Sequence, residues 1–250
     1  MNKNNDKKYF DFVEKTKMNL SGFTLIEGFP DVGLAGTIGA RYLSERLGFE
    51  TIGHVDSVLF SPIIRITNGV PMHPVRIYAS KKYKTVILLA EQIIPNNIAG
   101  IMAKEIVEWI KLKKIKQVIA TSGIKSLTGN SVYAFASDEN SKKIIKKHNL
   151  ELIENGVTSG VTAMMMLYLK DNNIVAYCLI GNARNNADYY AAAEIVKAFC
   201  KIINVSIDVK PLLKEAKILE EAITQHLKTL QTQKKADDEP EILKGTPMYT

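Results

Sequence analysis

The segment FTLIEGFPDVGLAGTIGARYLSERLG, residues 23–48, predicts the architecture of the chain. Its first five residues form an apolar run typical of a buried strand, and the stretch from Gly28 to Gly33 interrupts that run. Residues 34–47 then carry an amphipathic helical pattern, and Gly48 ends it. A strand, a glycine turn and a helix in this order are the first unit of an α/β fold.

The same alternation continues along the chain. Residues 85–90 (TVILLA) are a continuous apolar strand of the kind that is buried on both faces of a sheet. Further strands are predicted within 51–67, broken by the turn dipeptide Asn68-Gly69, and at 75–80, 118–121 and 174–180. Further helices are predicted at 97–116, 138–148, 156–170, 187–203 and 211–230. This pattern indicates an α/β domain whose largely parallel sheet is covered on both faces by helices.

The two ends of the chain differ from this body. We predict an N-terminal extension over residues 1–19 and one domain over residues 20–230. Residues 231–241 (QTQKKADDEPE) contain one residue of the hydrophobic set, Ala236, and are predicted to be a linker. Residues 231–250 therefore form a predicted flexible tail after the C-terminal helix.

Composition excludes several classes of protein. Of 250 residues, 46% are hydrophobic and only two are cysteines, so a disulfide framework and a cysteine metal cage are excluded. No secretion signal and no run of about 18 apolar residues is present, which predicts a cytoplasmic protein without a membrane partner. The four histidines lie in different elements and outside any metal-binding pattern: His54, His73, His148 and His226. We predict no metal and no cofactor.

The net charge of +7 is concentrated in one region. Residues 81–125 carry nine lysines against three glutamates, so this stretch alone has a charge of +6. A solvated helix face is the favoured interpretation, because the aromatic residues of a single-strand binding platform are missing. A nucleic-acid surface is the less favoured alternative, and an acidic protein partner would also suit these lysines.

The glycine-rich stretch from Gly28 to Gly39 allows two interpretations. Its first two glycines have the spacing of a phosphate-binding P-loop, but Leu34 and Ala35 stand where such a loop needs Lys and Ser or Thr. Its last three glycines are spaced three residues apart, which is typical of a helix packed closely on a neighbouring element. We therefore favour packing, with a nucleotide- or phosphate-using enzyme (a ligase or transferase) as the alternative.

Two polar groups are weaker candidates for a site. His54 and Asp56 could form an acid–base pair on one strand face, although a hydrogen-bonded surface pair is favoured. Residues 182–190 (NARNNADYY) follow a strand at the sheet edge where α/β proteins place their sites. We interpret this segment first as a loop and helix cap, and second as a site.

The chain ends on Met248-Tyr249-Thr250, a hydrophobic residue followed by tyrosine and any residue. A free tail of this kind can insert its two large side chains into a pocket, while the terminal carboxylate pairs with a lysine or with backbone donors. One such tail binds weakly, so its function would need several tails on one oligomer. About 20 flexible residues give the tail a reach of roughly 25 Å.

Three segments together resemble the proteasome assembly chaperone family, and its archaeal homologues in particular. They are Gly22–Gly36 (GFTLIEGFPDVGLAG), Gly181–Glu194 (GNARNNADYYAAAE) and the closing Glu/Lys-rich helix. The resemblance covers roughly residues 20–230 and implies a phosphorylase-like three-layer α/β sandwich. The ending Met248-Tyr249-Thr250 is similar to the tail with which proteasome activators dock between α subunits of the 20S core particle. There the tyrosine and the hydrophobic residue fill the pocket, and the carboxylate meets a lysine.

The resemblance implies a function without an enzymatic reaction. We expect a homo-oligomer, for example a tetramer, that binds the α-ring through Met248, Tyr249 and Thr250. Its role would be that of an ATP-independent proteasome activator, an assembly chaperone or both. The missing P-loop lysine agrees with independence from ATP, and a nucleic-acid partner is not expected. The alternative stays the small-molecule enzyme built on the loop from Gly28 to Gly39.

Overall fold

A computed structural model of the protein describes residues 8–125, 131–215 and 218, and within them one large sheet carries helices on both faces. The sheet contains the strands β1 (Asp11–Glu14), β2 (Thr24–Gly28), β3 (Glu50–Asp56), β6 (Val75–Ser80), β7 (Thr85–Ala90), β8 (Gln117–Ile124), β9 (Val132–Ala136), β10 (Glu151–Leu152) and β11 (Val175–Asn182). A separate two-stranded ribbon consists of β4 (Arg65–Thr67) and β5 (Val70–Met72). The helices are α1 (Ala35–Arg46), α2 (Asn96–Leu112), α3 (Glu139–Lys147), α4 (Gly160–Asp171) and α5 (Tyr189–Ile203).

The sheet is mixed, with the strand order β1-β3-β6-β7-β2-β8-β11-β9-β10. Its centre, β7-β2-β8-β11, and its edge pair β9-β10 are parallel, while β1, β3, β6 and β7 pair antiparallel and β9 runs antiparallel to β11. The prediction of a largely parallel sheet is therefore correct for the centre and for this edge pair. Four residues, 81–84, connect β6 to β7, and a connection this short permits only an antiparallel pair.

Each face of the sheet is buried under its own helices. Helices α2 and α4 pack together on one face, and α1 and α5 pack together on the other, where α3 also lies. The neighbours Leu88 and Leu89 in β7 are both fully buried, and they belong to the two opposite cores. The predicted burial of residues 85–90 on both faces is confirmed, and so is the three-layer arrangement.

The chain before residue 20 joins the sheet through a strand that the sequence analysis did not predict. Strand β1 pairs with β3, and the side chain of Phe10 is fully buried. The carboxylate of Glu105 in α2 accepts hydrogen bonds from the backbone N–H groups of Tyr9 and Phe10 at 2.8 and 3.0 Å. The pairing joins segments about 40 residues apart, so no local pattern announces it.

The C-terminal predictions lie mostly outside the described residues. Residues 210–215 are helical, in agreement with the start of the helix predicted from residue 211. Leu212 of this turn is buried against the core that contains α1 and α5. The rest of that helix and the tail, with Met248, Tyr249 and Thr250, fall beyond the part of the chain that the structure describes.

Candidate functional site

The candidate site lies where three parallel strands of the central sheet end at one edge. The loops after β2 and β11 meet there beside the end of β8, which brings together the two loop segments that carry the family resemblance. The backbone N–H of Asp188 donates to the carbonyl of Gly33 at 2.8 Å, and that of Ala183 donates to the carbonyl of Ile124 at 2.8 Å. The carboxyl ends of parallel strands are the usual place for ligand sites in such sheets.

Asp31 fastens the first loop to the end of β8. Its carboxylate accepts hydrogen bonds from the backbone N–H of Val32 at 2.7 Å and of Gly123 at 3.3 Å, and from the hydroxyl of Ser122. The loop backbone runs so close to β8 that a Cβ added to Gly123 would overlap the carbonyl of Val32. The acceptor capacity of Asp31 is thus used within the protein.

Asp188 has the same role in the second loop. Its buried carboxylate accepts from the backbone N–H groups of Arg184 at 2.7 Å, Asn185 at 3.3 Å and Ala191 at 2.8 Å, which caps the start of α5. The favoured interpretation of residues 182–190 as a loop and cap is therefore confirmed. A small cavity of about 300 Å³ adjoins this loop and is bordered by Ser131 and Glu194.

Glu27, the last but one residue of β2, is a fully buried carboxyl group beneath these loops. Its oxygens accept hydrogen bonds from the backbone N–H groups of Phe29 and Thr121, at 2.9 and 3.0 Å, and from the Thr162 hydroxyl at 3.2 Å. Burial outweighs these donors and raises the pKa of Glu27 to about 7, and the nearby Asp31 adds to the rise. Glu27 therefore titrates near neutral pH and links β2 to β8 and α4.

The glycine stretch is closely packed against the rest of the protein. A Cβ added to Gly36 would overlap the Thr121 side chain, and one added to Gly33 would overlap Ala183. Gly33 also has a φ of +74°, which favours glycine. These approaches support the packing interpretation, because protein atoms occupy the space that the missing side chains leave.

The predicted surface pair of His54 and Asp56 is wrong. His54 is buried and stacks on His73 with 3.6 Å between the ring centroids, whereas Asp56 is exposed and accepts from the backbone N–H of Ser57. Burial, and then the neighbouring His73, lower the pKa of His54. His73 lies in the loop before β6 and reaches His54 from there. The residue pattern within strand β3 could not indicate a partner from another segment.

The lysines of residues 81–125 are spread over more than one part of the surface, and Lys125 directly follows β8 at the loop edge. Lys111 pairs with Glu108 at 3.1 Å on the outer face of α2, as the favoured interpretation expects. The backbone N–H of Thr24, at the start of β2, donates to the carbonyl of Lys84 at 2.9 Å, and that of Gly22, in the preceding turn, donates to the carbonyl of Lys114 at 2.9 Å. These lysines therefore lie at the amino ends of the parallel strands. Lys84 and Lys114 are thus at the edge opposite the loops of the candidate site, whereas Lys125 is at the same edge as those loops.

Two further searches of the described ranges concern metal-binding clusters and membrane-spanning helices. Residues 8–125, 131–215 and 218 contain no cluster of three histidine, cysteine, aspartate or glutamate side chains that could hold a metal ion. None of the helices within those ranges is long and apolar enough to cross a membrane.

Comparison with known proteins identifies the family. The model of the PAC2 family matches residues 25–227, which include both loops of the candidate site. The chain belongs to the PAC2 family. This PAC2 protein is 30% identical over 232 residues to an uncharacterized protein of Methanocaldococcus jannaschii. The matched region covers 90% of this chain and 95% of that one.

Two solved structures from Pyrococcus furiosus are similar to this PAC2 protein. PbaA, an archaeal homolog of proteasome-assembly chaperone, has a TM-score of 0.81 and 27% identity, over 95% of this chain and 100% of that one. PbaB, an archaeal proteasome activator, has a TM-score of 0.75 and 20% identity, over 88% of this chain and 99% of that one. The likeness to PbaB shows the fold alone. The predicted resemblance to archaeal homologues of the assembly chaperones is confirmed.

Proposed function

We propose that this PAC2 protein binds the 20S proteasome core particle and acts as an ATP-independent activator, an assembly chaperone or both. The observation that carries the proposal is the likeness to PbaA, which spans nearly all of both chains. The ending Met248-Tyr249-Thr250 adds a second, independent argument from the sequence. Together they suggest a folded body that presents a docking tail.

In this proposal each residue of the ending has a role. Met248 and Tyr249 enter a pocket between neighbouring α subunits, where burial of their apolar surface contributes a few kcal/mol. The carboxylate of Thr250 pairs with a lysine of that pocket. Because one short tail binds weakly, the body would be a homo-oligomer, for example a tetramer, that presents several tails at once.

We further propose that the chain is not an enzyme and that it works in the cytoplasm. The observations in favour are the glycine stretch filled by neighbouring side chains and the engagement of Asp31 and Asp188 with backbone donors. The phosphorylase-like character of the sandwich stays a prediction from the resemblance.

A pull-down of purified 20S proteasome tests the proposal. The full chain should retain the proteasome, and deletion of Met248–Thr250 should abolish retention, because the anchoring side chains and carboxylate are lost together. Tyr249→Ala should lose most of the retained proteasome, whereas Lys244→Ala, a change in the same tail outside the ending, should keep it. Retention by the deleted chain equal to that of the full chain would refute the docking role.

A peptidase assay on the same samples separates the two roles. An activator increases hydrolysis of a small fluorogenic peptide by the 20S proteasome, and the increase should disappear with Met248–Thr250. Binding without any increase would support the assembly role instead.

A further inference from the structure

Three arginines converge on the carboxylate of Glu91, which directly follows β7. This carboxylate lies 2.5 Å from the guanidinium of Arg65 and 3.7 Å from that of Arg41, and it also pairs with Arg76. The arginines come from three separate elements, namely α1, the β4–β5 ribbon and β6. We call Arg41, Arg65, Arg76 and Glu91 the arginine cluster.

The alternation of side chains along two strands explains why the cluster forms. Val75 and Ile77, on either side of Arg76 in β6, belong to the core under α2 and α4, so Arg76 points to the opposite face, which carries α1. Leu89 lies opposite Arg76 in β7 and belongs to the core of α1 and α5. Glu91 is two residues beyond Leu89, so its carboxylate lies on the same face. The centre of the cluster therefore rests at the ends of two neighbouring strands.

Arg76 is the buried anchor of the cluster. Its side chain is 4% exposed and pairs with Glu91. It also donates to the backbone carbonyl of His73 at 2.8 Å and to the hydroxyl of Tyr78 at 2.6 Å. All three guanidinium nitrogens of Arg76 are thus engaged within the protein, and its position is fixed.

Arg41 and Arg65 form an open rim, with side chains that are 26% and 36% exposed. Arg65 donates from Nε to the Thr67 hydroxyl and from one terminal nitrogen to Glu91, so its second terminal nitrogen has no acceptor among the described residues. Arg41 reaches Glu91 only at 3.7 Å, beyond hydrogen-bond distance, and no other described residue accepts from it. Donors of both guanidiniums are therefore available to a ligand from solvent.

The charges of the cluster do not balance. Three guanidiniums face one carboxylate, which leaves an excess of +2, and no other carboxylate in residues 8–125, 131–215 and 218 pairs with any of them. Guanidiniums that share one carboxylate repel each other, and partial burial strengthens that repulsion. A bound anion between the exposed arginines would offset it.

We propose that the arginine cluster binds a phosphate group between Arg41 and Arg65. A phosphate monoester carries a charge of about −1.5 to −2 at neutral pH, which matches the excess of +2, whereas a single carboxylate would leave about half of it. Nitrogens of both arginines lie within 3.7 Å of the same oxygen of Glu91, so one group with several oxygens can reach both. The planar fork of arginine suits phosphate oxygens, which accept two parallel hydrogen bonds from it.

The site goes beyond the proposed docking of the proteasome and is separate from the glycine stretch. None of its residues belongs to the ending Met248-Tyr249-Thr250 or to the two loops of the candidate site. Free phosphate and the phosphate of a small monoester share the chemistry that the cluster recognises, and two arms of one experiment separate them.

Titration calorimetry of the full chain with inorganic phosphate is the first arm. The wild type should bind one phosphate per chain with a Kd of about 1 mM or below. Arg41→Gln should weaken this binding at least tenfold, because one of the two exposed forks is lost. The matched control is Arg46→Gln on the same helix, whose exposed guanidinium lies over the ring of Tyr42 and pairs with no carboxylate in the described part of the chain. This control loses the same charge and should keep the wild-type affinity.

Arg41→Lys keeps the charge but not the fork, so its affinity should fall between those of the wild type and Arg41→Gln. Thermal unfolding without phosphate should give similar midpoints for these variants, because Arg41 lies at the rim. Added phosphate should raise the midpoint of the wild type and leave that of Arg41→Gln unchanged. Deletion of Met248–Thr250 should not alter phosphate binding, so failure of tail docking and failure of this site give different results.

The second arm replaces phosphate with glycerol 3-phosphate and then with acetate. Tighter binding of glycerol 3-phosphate would identify a phosphate ester as the ligand, and weaker binding would identify free phosphate. Three results would overturn the proposal: no saturable binding of either phosphate compound, an equal loss of affinity in Arg41→Gln and Arg46→Gln, or binding of acetate as tight as that of phosphate.

Discussion

The loops of the candidate site and the β4–β5 ribbon differ in how a connection between strands is attached to the body of the protein. In the loops, the carboxylates of Asp31 and Asp188 accept hydrogen bonds from backbone N–H groups, and neighbouring atoms fill the space beside the glycines. Few acceptor positions and little space are therefore left for a partner. The β4–β5 ribbon, in contrast, exposes Ile66 and Val70 to solvent, and its Arg65 pairs with Glu91 of the body. The comparison shows that carboxylates bound to backbone N–H groups fix the loops, whereas the ribbon is held by an ion pair and leaves apolar side chains exposed.

The largest effect should come from filling a glycine in the first loop. Gly36→Val would force side-chain atoms into the space of Thr121 in β8, and we expect a loss of about 4 kcal/mol of unfolding free energy. The matched control is Gly100→Ala in α2, where the nearest atom to an added Cβ is 3.9 Å away. That change should stabilise by up to about 1 kcal/mol.

Urea denaturation measures both glycine variants. If Gly36→Val and Gly100→Ala had equal midpoints, the tight packing of the first loop would be refuted. That outcome would reopen the phosphate-binding interpretation of the stretch from Gly28 to Gly39.

The next effect is a dependence of stability on pH that Glu27 causes. Its carboxyl has a pKa of about 7 in the folded protein against 4.5 in its ordinary state, so the folded chain binds this proton more tightly than the unfolded chain. The contribution of Glu27 is therefore fully present below about pH 4.5, falls as the pH rises to about 7, and is level above that value. The fall amounts to about 3 kcal/mol.

Glu27→Gln should remove that fall, because the amide does not titrate. The variant also loses about 1–3 kcal/mol at all pH values, since its NH₂ group cannot accept from a backbone N–H. The informative quantity is the difference in unfolding free energy between wild type and variant at pH 5 and pH 8. A difference that does not change between these pH values would show that Glu27 is ionised in the folded protein throughout.

The smallest of these effects concerns the second loop. Asp188→Ala removes the cap of α5 and the acceptor for Arg184 and Asn185, and we expect a loss of about 2 kcal/mol. Asp188→Asn keeps an oxygen acceptor at the cap and should lose less. Thermal unfolding of the two variants checks the order, and equal losses would mean that the charge of Asp188 matters more than its cap.

Much of the scaffold follows from the sequence because its signals are local. The apolar run 85–90 predicts a strand buried on both faces, and Leu88 and Leu89 indeed enter opposite cores. The glycine spacing from Gly33 to Gly39 predicts close packing, because only a missing side chain permits such approaches.

The features that escaped prediction depend on contacts between distant segments. The antiparallel direction of β6 relative to β7 is an exception, because the four-residue turn at 81–84 is a local signal for it. The partner of His54 is His73, and Glu27 owes its raised pKa to burial by elements far along the chain. A glutamate at the end of an apolar strand was the available signal for that buried carboxyl. The exposed ribbon likewise had a signal in the near absence of charge over residues 57–75.

The most direct test of the whole account is the affinity of the chain for 20S proteasome, measured in one equilibrium binding assay for three forms. We expect tight binding by the full chain and at least tenfold weaker binding by Tyr249→Ala, which loses the larger of the two anchoring side chains. Deletion of Met248–Thr250 should leave no measurable binding although the oligomer stays intact. Binding by the deleted chain with the affinity of the full chain would contradict the account.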